Sequence, residues 1–156
     1  MITEPLVLCQ YCDDVRFEIN NKISYIGVFN SELRITGKLP VTIPKIVASA
    51  SVLLPLDFKL DSLQFQLNWN GKIIQDVSLP SSECQQIVAE ASTKSTKHGV
   101  EPRGLHFQCA LAVTPFIVDA AGVLRFDALI NGIQHKANSL MVEIAEVQPA
   151  VRAVAN

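Results

Sequence analysis

The chain has 156 residues, a length typical of a single domain. Hydrophobic residues make up 49% of it and charged residues 18%, a balance that excludes an intrinsically disordered chain. Thirteen Lys and Arg against fifteen Asp and Glu give a net charge of −2, which predicts no general attraction to nucleic acid or to an anionic membrane.

The N-terminal residues predict no targeting segment, because Met1 to Pro5 contain no basic stretch followed by an apolar core. The most apolar run, residues 46–56, is interrupted by two serines and is far shorter than the ~20 residues of a membrane span. We therefore expect a soluble, cytoplasmic protein with no membrane partner.

Alternation of apolar and polar residues, the pattern of half-buried strands, recurs along the chain. It predicts strands at residues 6–11, 23–29, 46–54, 63–69, 73–79, 105–114, 124–130 and 140–147. Tight hairpin turns are predicted at Asn20-Asn21, Asn70-Gly71 and Asn131-Gly132, because Asn and Gly tolerate positive φ. Pro40 and Pro44 bracket a predicted extended linker.

One segment has helical spacing instead: Cys84, Ile87, Val88 and Ala91 recur at i, i+3, i+4 and i+7. It predicts a short helix over residues 83–92, with a strand as the alternative. Residues 92–104 contain few apolar side chains and predict a mobile surface loop.

Many short strands without strand–helix alternation are typical of a sandwich or barrel. The fold class predicted is all-β, an antiparallel immunoglobulin-like β-sandwich of about eight strands with one short helix. A single domain is expected over residues 1–148, followed by a frayed tail at 149–156.

The motif Cys9-Gln10-Tyr11-Cys12 is the one local chemical signal, since CxxC binds zinc or cycles as a dithiol in other contexts. Residues three apart on a strand point to opposite faces, so this spacing favours structural core cysteines. A metal site and a redox pair remain open as alternatives. The sequence predicts no cofactor, no metal ligands and no catalytic residues.

Charged clusters are few. Asp13, Asp14 and Glu18 predict a solvated acidic turn, with cation or basic-partner binding as the alternative. Lys94, Lys97, His98 and Arg103 form the basic concentration, and we expect them to bind a protein partner, with a solvated loop as the alternative. No aromatic residues lie between them, so nucleic acid is not the expected partner. Phe65 and Trp69 are expected in the core, or at an interface if their face is uncovered.

Several segments resemble an uncharacterised family of short bacterial and bacteriophage proteins of unknown function. The resemblance is carried by residues 6–9 with the acidic segment after them, 21–29 with Ile26-Gly27-Val28-Phe29, 39–44, and 122–132. The chain departs from the family at Asn21, where glycine is usual, and in its long 81–104 segment. The resemblance implies a β-sandwich and no known activity.

The absence of a catalytic motif predicts a non-enzymatic protein that binds another macromolecule, in a phage or mobile-element setting, through residues 94–103. Two alternatives stay open: a small-ligand or hydrolytic pocket between the sheets, and a cysteine-based metal site. The closing strand at 140–147 lacks proline and lysine, so a homodimer or a docked partner strand is expected there if it lies at a sheet edge, with a monomer in which the first strand covers it as the alternative.

Overall fold

The computed structural model describes residues 2–97 and 104–145, and β-strands dominate these residues. They form eleven strands, a 3-10 turn at Ile19–Asn21 and one α-helix, α1 (Ser81–Lys97). The strands are β1 (Leu6–Glu18), β2 (Lys22–Phe29), β3 (Glu32–Thr36), β4 (Val41–Ile43), β5 (Ile46–Leu54), β6 (Leu63–Trp69), β7 (Lys72–Leu79), β8 (Leu105–Val113), β9 (Phe116–Val118), β10 (Gly122–Ile130) and β11 (Ile133–Ala145). The all-β prediction is confirmed. The number of strands exceeds eight because β4 and β9, with three residues each, are too short to show a period of two, and because β3, although it alternates, was not predicted.

Most of the strands belong to two large β-sheets. The first sheet has the strand order β2-β1-β5-β8, and the second has the order β3-β11-β10-β6-β7. Strands β4 and β9 form a separate two-stranded sheet. All pairings are antiparallel except that of β3 with β11, which is parallel. A purely antiparallel arrangement is therefore wrong for this one pair.

The two sheets face each other across one apolar core. Alternate residues of β5 and β10 point inward, which buries side chains such as Val52 and Phe126 completely. The rings of Phe65 and Phe126 lie 5.7 Å apart within this core. We call the face of each sheet that points toward the other sheet its inner face.

Two of the predicted hairpin turns are confirmed by their backbone φ angles. Asn70 and Gly71 adopt φ of 49° and 83°, and Asn131 and Gly132 adopt 51° and 78°, as primed turns require. The same asparagines also fix neighbouring loops. Asn70 Oδ1 accepts the N–H of Val123 at 2.9 Å, and Asn131 makes the equivalent contacts to residues 59–62.

Three local predictions are wrong in part. Strand β1 continues to Glu18, so Asp13 and Asp14 lie in a strand rather than a turn. The proline-bracketed linker contains β4, which pairs with β9. Helix α1 runs to Lys97, so residues 92–97 are helical rather than a loop, because no Gly or Pro occurs before Gly99 to end the helix.

The closing strand does not lie at an edge. Residues 140–145 are the last part of β11; Met141–Ala145 all pair with β3, and Met141 and Val142 also pair with β10. The edge expected to support a dimer is therefore covered by Glu32–Thr36. In the part of the chain described here, the true edges of the two large sheets are β2, β8, β3 and β7.

No helix within residues 2–97 or 104–145 has the length and apolar character needed to cross a membrane.

Candidate interaction surfaces

The predicted basic site falls at the limit of the described residues. Lys94 and Lys97 lie in the last turns of α1. His98 and Arg103 lie outside the described residues, as does the predicted tail at 149–156. The role of these four residues in partner binding stays a prediction.

The four cysteines form no disulfide. Cys9 lies on the inner face of β1, and burial raises the pKa of its thiol to about 12. Cys12 is fully buried, and its sulfur lies 3.8 Å from the carbonyl oxygen of Val47. Burial also raises the pKa of the Cys12 thiol. Among the described residues, no three His, Cys, Asp or Glu side chains come together in a group that could hold a metal ion.

Strand β1 continues beyond the sheet as part of a two-stranded ribbon. Its pairing with β5 ends at Cys12, whereas its pairing with β2 runs on to Glu18 opposite Lys22. Six residues, 13 to 18, therefore extend past β5, a length of about 20 Å at the usual rise per residue. Asp13 and Gly27 do not form a ladder pair, although the residues on either side of them do. Gly27 has a φ of 64°, and a Cβ at this position would collide with the Asp13 carboxylate.

Specific contacts hold the base of this ribbon. The Asp14 carboxylate pairs with the ammonium group of Lys45, and this hydrogen bond lowers the pKa of Asp14. The hydroxyl of Tyr25 accepts hydrogen bonds from Ser49 Oγ at 3.3 Å and from Gln108 Nε2 at 3.0 Å. Since Ser49 and Gln108 belong to β5 and β8, Tyr25 reaches across the outer face of the first sheet.

The far end of the ribbon exposes large apolar side chains. Phe17 is 73% exposed and Ile19 is 84% exposed, and both lie beside the turn at Asn20. We call residues 16–23 the hairpin tip. Its charged residues are Arg16, Glu18 and Lys22, which sum to a charge of +1. An isolated two-stranded hairpin has only marginal stability in water. Large exposed apolar side chains on such a projection are typical of sites that contact another molecule.

A second surface opens between the edge strands β7 and β8. Here a crevice of about 360 Å³ leads between the two sheets and ends against α1. Its apolar lining consists of Phe65, Val77, Leu79, Ile87, Phe107 and Cys109, and His106 and Gln108 lie at its rim. Val77 pairs with the buried Phe65 and so belongs to the inner face, yet it is 44% exposed. The sandwich is therefore open to solvent along this edge.

The two ends of the crevice differ. At one end α1 closes the core through the fully buried Cys84. At the other, Gln75 Nε2 donates a hydrogen bond to the carbonyl oxygen of Ala112 at 2.6 Å and so bridges β7 to β8. The amide oxygen of Gln75 is buried and has no hydrogen-bond partner within the described residues. Between these ends Cys109 faces the crevice, and burial raises its pKa to about 11.

The outer face of the second sheet carries a buried carboxylate. Asp127 is 0% exposed and receives Arg125 in a bidentate pair, Nε to Oδ1 at 2.8 Å and Nη2 to Oδ2 at 2.9 Å. Asn68 and Gln134 also donate to Oδ2, at 2.7 and 3.0 Å. These four hydrogen bonds join side chains of β6, β10 and β11 on one face of the sheet, as a structural network does.

The aromatic pair of β6 is a core feature, as predicted. Phe65 is 4% exposed, and Trp69 packs at the margin of the core with its ring edge-on to Phe116, centroid to centroid 5.2 Å.

The sequence did not reveal the hairpin tip or the crevice. The alternation around Phe17 is compatible with a strand but does not say which face lacks a partner. The exposure of Val77 depends on β7 and β8 both being edges, which follows from long-range pairing.

Comparison with known proteins gives no match: no protein-family model, no curated protein and no solved structure is significantly similar to this chain. The resemblance to the bacterial and bacteriophage family stays a prediction, and function is argued from the geometry.

Proposed function

We propose that this protein is a non-enzymatic β-sandwich of immunoglobulin-like type that works by binding another protein chain through its hairpin tip. The observation that carries the proposal is the exposure of Phe17 and Ile19 at the end of a ribbon that extends past its sheet. Burying such side chains contributes about 1.5–3 kcal/mol each. Aromatic side chains in this setting are typical anchors of protein interfaces. The resemblance noted above favours a phage or mobile-element setting.

The polar interior supports a non-enzymatic function. The buried polar side chains of the described residues are Ser49, Asn68 and Asp127. Two of them, Asn68 and Asp127, bond to each other. The Asp127 carboxylate accepts four hydrogen bonds, from Arg125, Asn68 and Gln134, an arrangement typical of a structural polar network.

A photo-crosslinking experiment tests the proposal. A benzophenone amino acid placed at Phe17 is expected to form covalent adducts with a protein partner in living cells. The matched control places it at Ile133, which is 65% exposed beside the other hairpin turn. Adducts formed from position 17 and absent from position 133 support the proposal. Equal yields from both positions, or none from position 17, overturn it.

The basic residues Lys94, Lys97, His98 and Arg103 are proposed as a second contact with the same partner. Replacing Lys94, Lys97 and Arg103 by Ser in the chain that carries the crosslinker tests this. A reduced yield of the same adduct supports the second contact, and an unchanged yield removes it while leaving the tip in place.

The crevice favours a second candidate function, the binding of a small apolar ligand. Its volume of about 360 Å³ lies at the lower end of the 300–1,000 Å³ typical of ligand pockets, and its lining is apolar with two polar residues at the rim. Native mass spectrometry of the purified protein distinguishes this candidate. A co-purified small molecule that is lost in a Val77→Asp variant supports it, and a bare protein mass contradicts it.

A further inference from the structure

Strand β8 is a sheet edge without the usual protection. Edge strands expose main-chain N–H and C=O groups that can pair with another strand, and proteins normally protect them with charged residues, proline or bulges. Three of the four edge strands within residues 2–97 and 104–145 carry charged side chains: Lys22 in β2, Glu32 and Arg34 in β3, and Lys72 and Asp76 in β7. The nine residues of β8 include no Lys, Arg, Asp, Glu, Pro or Gly.

Alternate residues of β8 direct their main-chain groups toward this open edge. The carbonyl oxygen of Ala112 accepts the hydrogen bond from Gln75 of β7, so it points away from β5. In an antiparallel strand the N–H and C=O of one residue point to the same side, and those of the next residue point to the opposite side. The main-chain groups of His106, Gln108 and Ala110 therefore also point away from β5. The side chains of these three residues are exposed.

Gln75 limits how another strand can pair here. Its side chain occupies the edge at Ala112, whereas His106, Gln108 and Ala110 have no main-chain partner on this side within the described residues. The three open residues are symmetric about Gln108. A second copy of β8 can therefore pair with them in antiparallel fashion about a two-fold axis at Gln108, and His106 then pairs with the partner's Ala110. Each of these pairs can exchange two main-chain hydrogen bonds.

The side chains of two β8 strands match in this register. On the outer face the large His106 lies beside the partner's small Ala110, and on the inner face the large Phe107 lies beside the partner's small Cys109. Because Cys109 lines the crevice, the partner's Phe107 also covers the mouth of the crevice. A strand with a charge at its centre, such as Arg34 in β3, would instead place like charges opposite each other, which is unfavourable.

We propose that β8 is the interface of a symmetric homodimer, in which β8 of two copies pair in antiparallel fashion through His106, Gln108 and Ala110. The pairing joins the two four-stranded sheets into one continuous sheet. The same residues serve on both copies, as a two-fold interface requires. This inference goes beyond the proposed function and is independent of it, because the hairpin tip takes no part in the interface.

A proline at the edge tests the pairing of main chains. The intact protein is expected at twice 17.1 kDa by light scattering. Ala110→Pro removes an N–H that is unpaired in the single chain, a substitution that edge strands tolerate. It should raise the dissociation constant by about tenfold or more, because the N–H is then missing from both copies. Ala110→Ser keeps the N–H and a small side chain and should leave the dissociation constant unchanged. Far-UV circular dichroism checks that each variant is folded, and a dimer of undiminished strength in folded Ala110→Pro overturns the inference.

A charge exchange at the two-fold axis tests the register. Gln108→Lys and Gln108→Glu each place like charges opposite each other and should weaken their homodimers by about tenfold or more. An equimolar mixture of the two variants should form a heterodimer tighter than either homodimer, because Lys then faces Glu. Loss of the hydrogen bond between Gln108 and Tyr25 in the single chain cannot produce this rescue. Thr36→Lys and Thr36→Glu, at the exposed end of β3, are the matched controls and should leave dimerisation unchanged. A mixture of the Gln108 variants no tighter than either homodimer overturns the register.

The thiol of Cys109 gives an independent readout of the interface. Its alkylation rate should fall as the concentration of intact protein rises, because the partner's Phe107 covers it, and should not depend on concentration in Ala110→Pro. A monomeric mass at high concentration, with a concentration-independent rate, overturns the inference. Crosslinking from position 17 to another protein is unaffected by that outcome, so the failure of this inference and the failure of the proposed function are distinguishable.

Discussion

The hydroxyl of Tyr11 donates a hydrogen bond to the main-chain carbonyl of Asn138 at 2.9 Å and accepts one from the N–H of Phe126 at 3.0 Å. Both main-chain groups lie at the point where the register of β10 and β11 shifts by one residue. A shift of this kind leaves main-chain groups without a ladder partner. One side chain of the first sheet thus completes the pairing of the second, and Asn138 Oδ1 in return accepts the N–H of Cys9 at 2.9 Å.

Replacing Tyr11 by Phe should therefore destabilise the protein more than the loss of one surface hydroxyl. The variant leaves the buried N–H of Phe126 without an acceptor and removes the donor to the carbonyl of Asn138; the unpaired buried N–H alone costs about 1–3 kcal/mol. Urea unfolding followed by Trp69 fluorescence measures the loss. Gln108→Ala is the matched control, because it removes only an exposed donor to the hydroxyl of Tyr25, and it should cost about 0.5–1 kcal/mol. Equal losses for the two variants would contradict this account.

The buried carboxylate of Asp127 makes a second energetic prediction. In Asp127→Asn an amide N–H₂ replaces an acceptor that faces the donors of Arg125, Asn68 and Gln134. Breaking a buried ion pair in this way costs about 3–5 kcal/mol. The free energy of unfolding measures it, and Glu32→Gln, which removes an exposed pair with Arg34, should change it by less than about 1 kcal/mol. A loss for Asp127→Asn no larger than that of the surface control would contradict the network's role.

Local pattern was sufficient for most strands. Residues 63–69 alternate cleanly and residues 46–54 are apolar at every second position, and they are observed as β6 and β5 with the predicted bounds. The turn at Asn70-Gly71 needs only its two residues to be recognised, because positive φ is a local property.

Features that depend on distant partners could not be predicted in this way. The parallel pairing of Leu33 with Val142 joins residues more than one hundred positions apart, and no local pattern encodes it. Asp13 and Asp14 resemble turn residues, but Lys45 and Gly27 accommodate them within a strand. The two candidate surfaces could not be predicted for the same reason, since the exposure of Phe17 and of Val77 depends on which strands lack a neighbour.

The ion pair of Asp14 with Lys45 predicts a pH dependence of stability. The pKa of Asp14 is lowered in the folded protein, chiefly by its hydrogen bond with Lys45, so the pair stabilises the fold above the unfolded pKa of 3.8. That contribution is lost as pH falls through the lower, folded pKa. The difference in unfolding free energy between the intact protein and Asp14→Asn should therefore shrink as pH falls from 6 toward 2. Urea titrations at a series of pH values measure it, and a difference that grows toward acid would contradict the assignment.

Alkylation of the cysteines tests whether the edge between β7 and β8 is open to solvent. Cys109 is half-buried in the crevice, whereas Cys9, Cys12 and Cys84 are buried, so Cys109 should be the first thiol alkylated in the native protein at low concentration. Burial raises its pKa to about 11, which leaves about one thiol in a thousand ionised at pH 8. The rate with iodoacetamide should rise about tenfold per pH unit between 8 and 10, since the thiolate is the nucleophile.

Mass spectrometry should count one slow modification in the folded protein and four after denaturation. Cys109→Ser should abolish the slow native modification and leave three in denaturant, and prior labelling of Cys9 or Cys84 would contradict an open edge between β7 and β8.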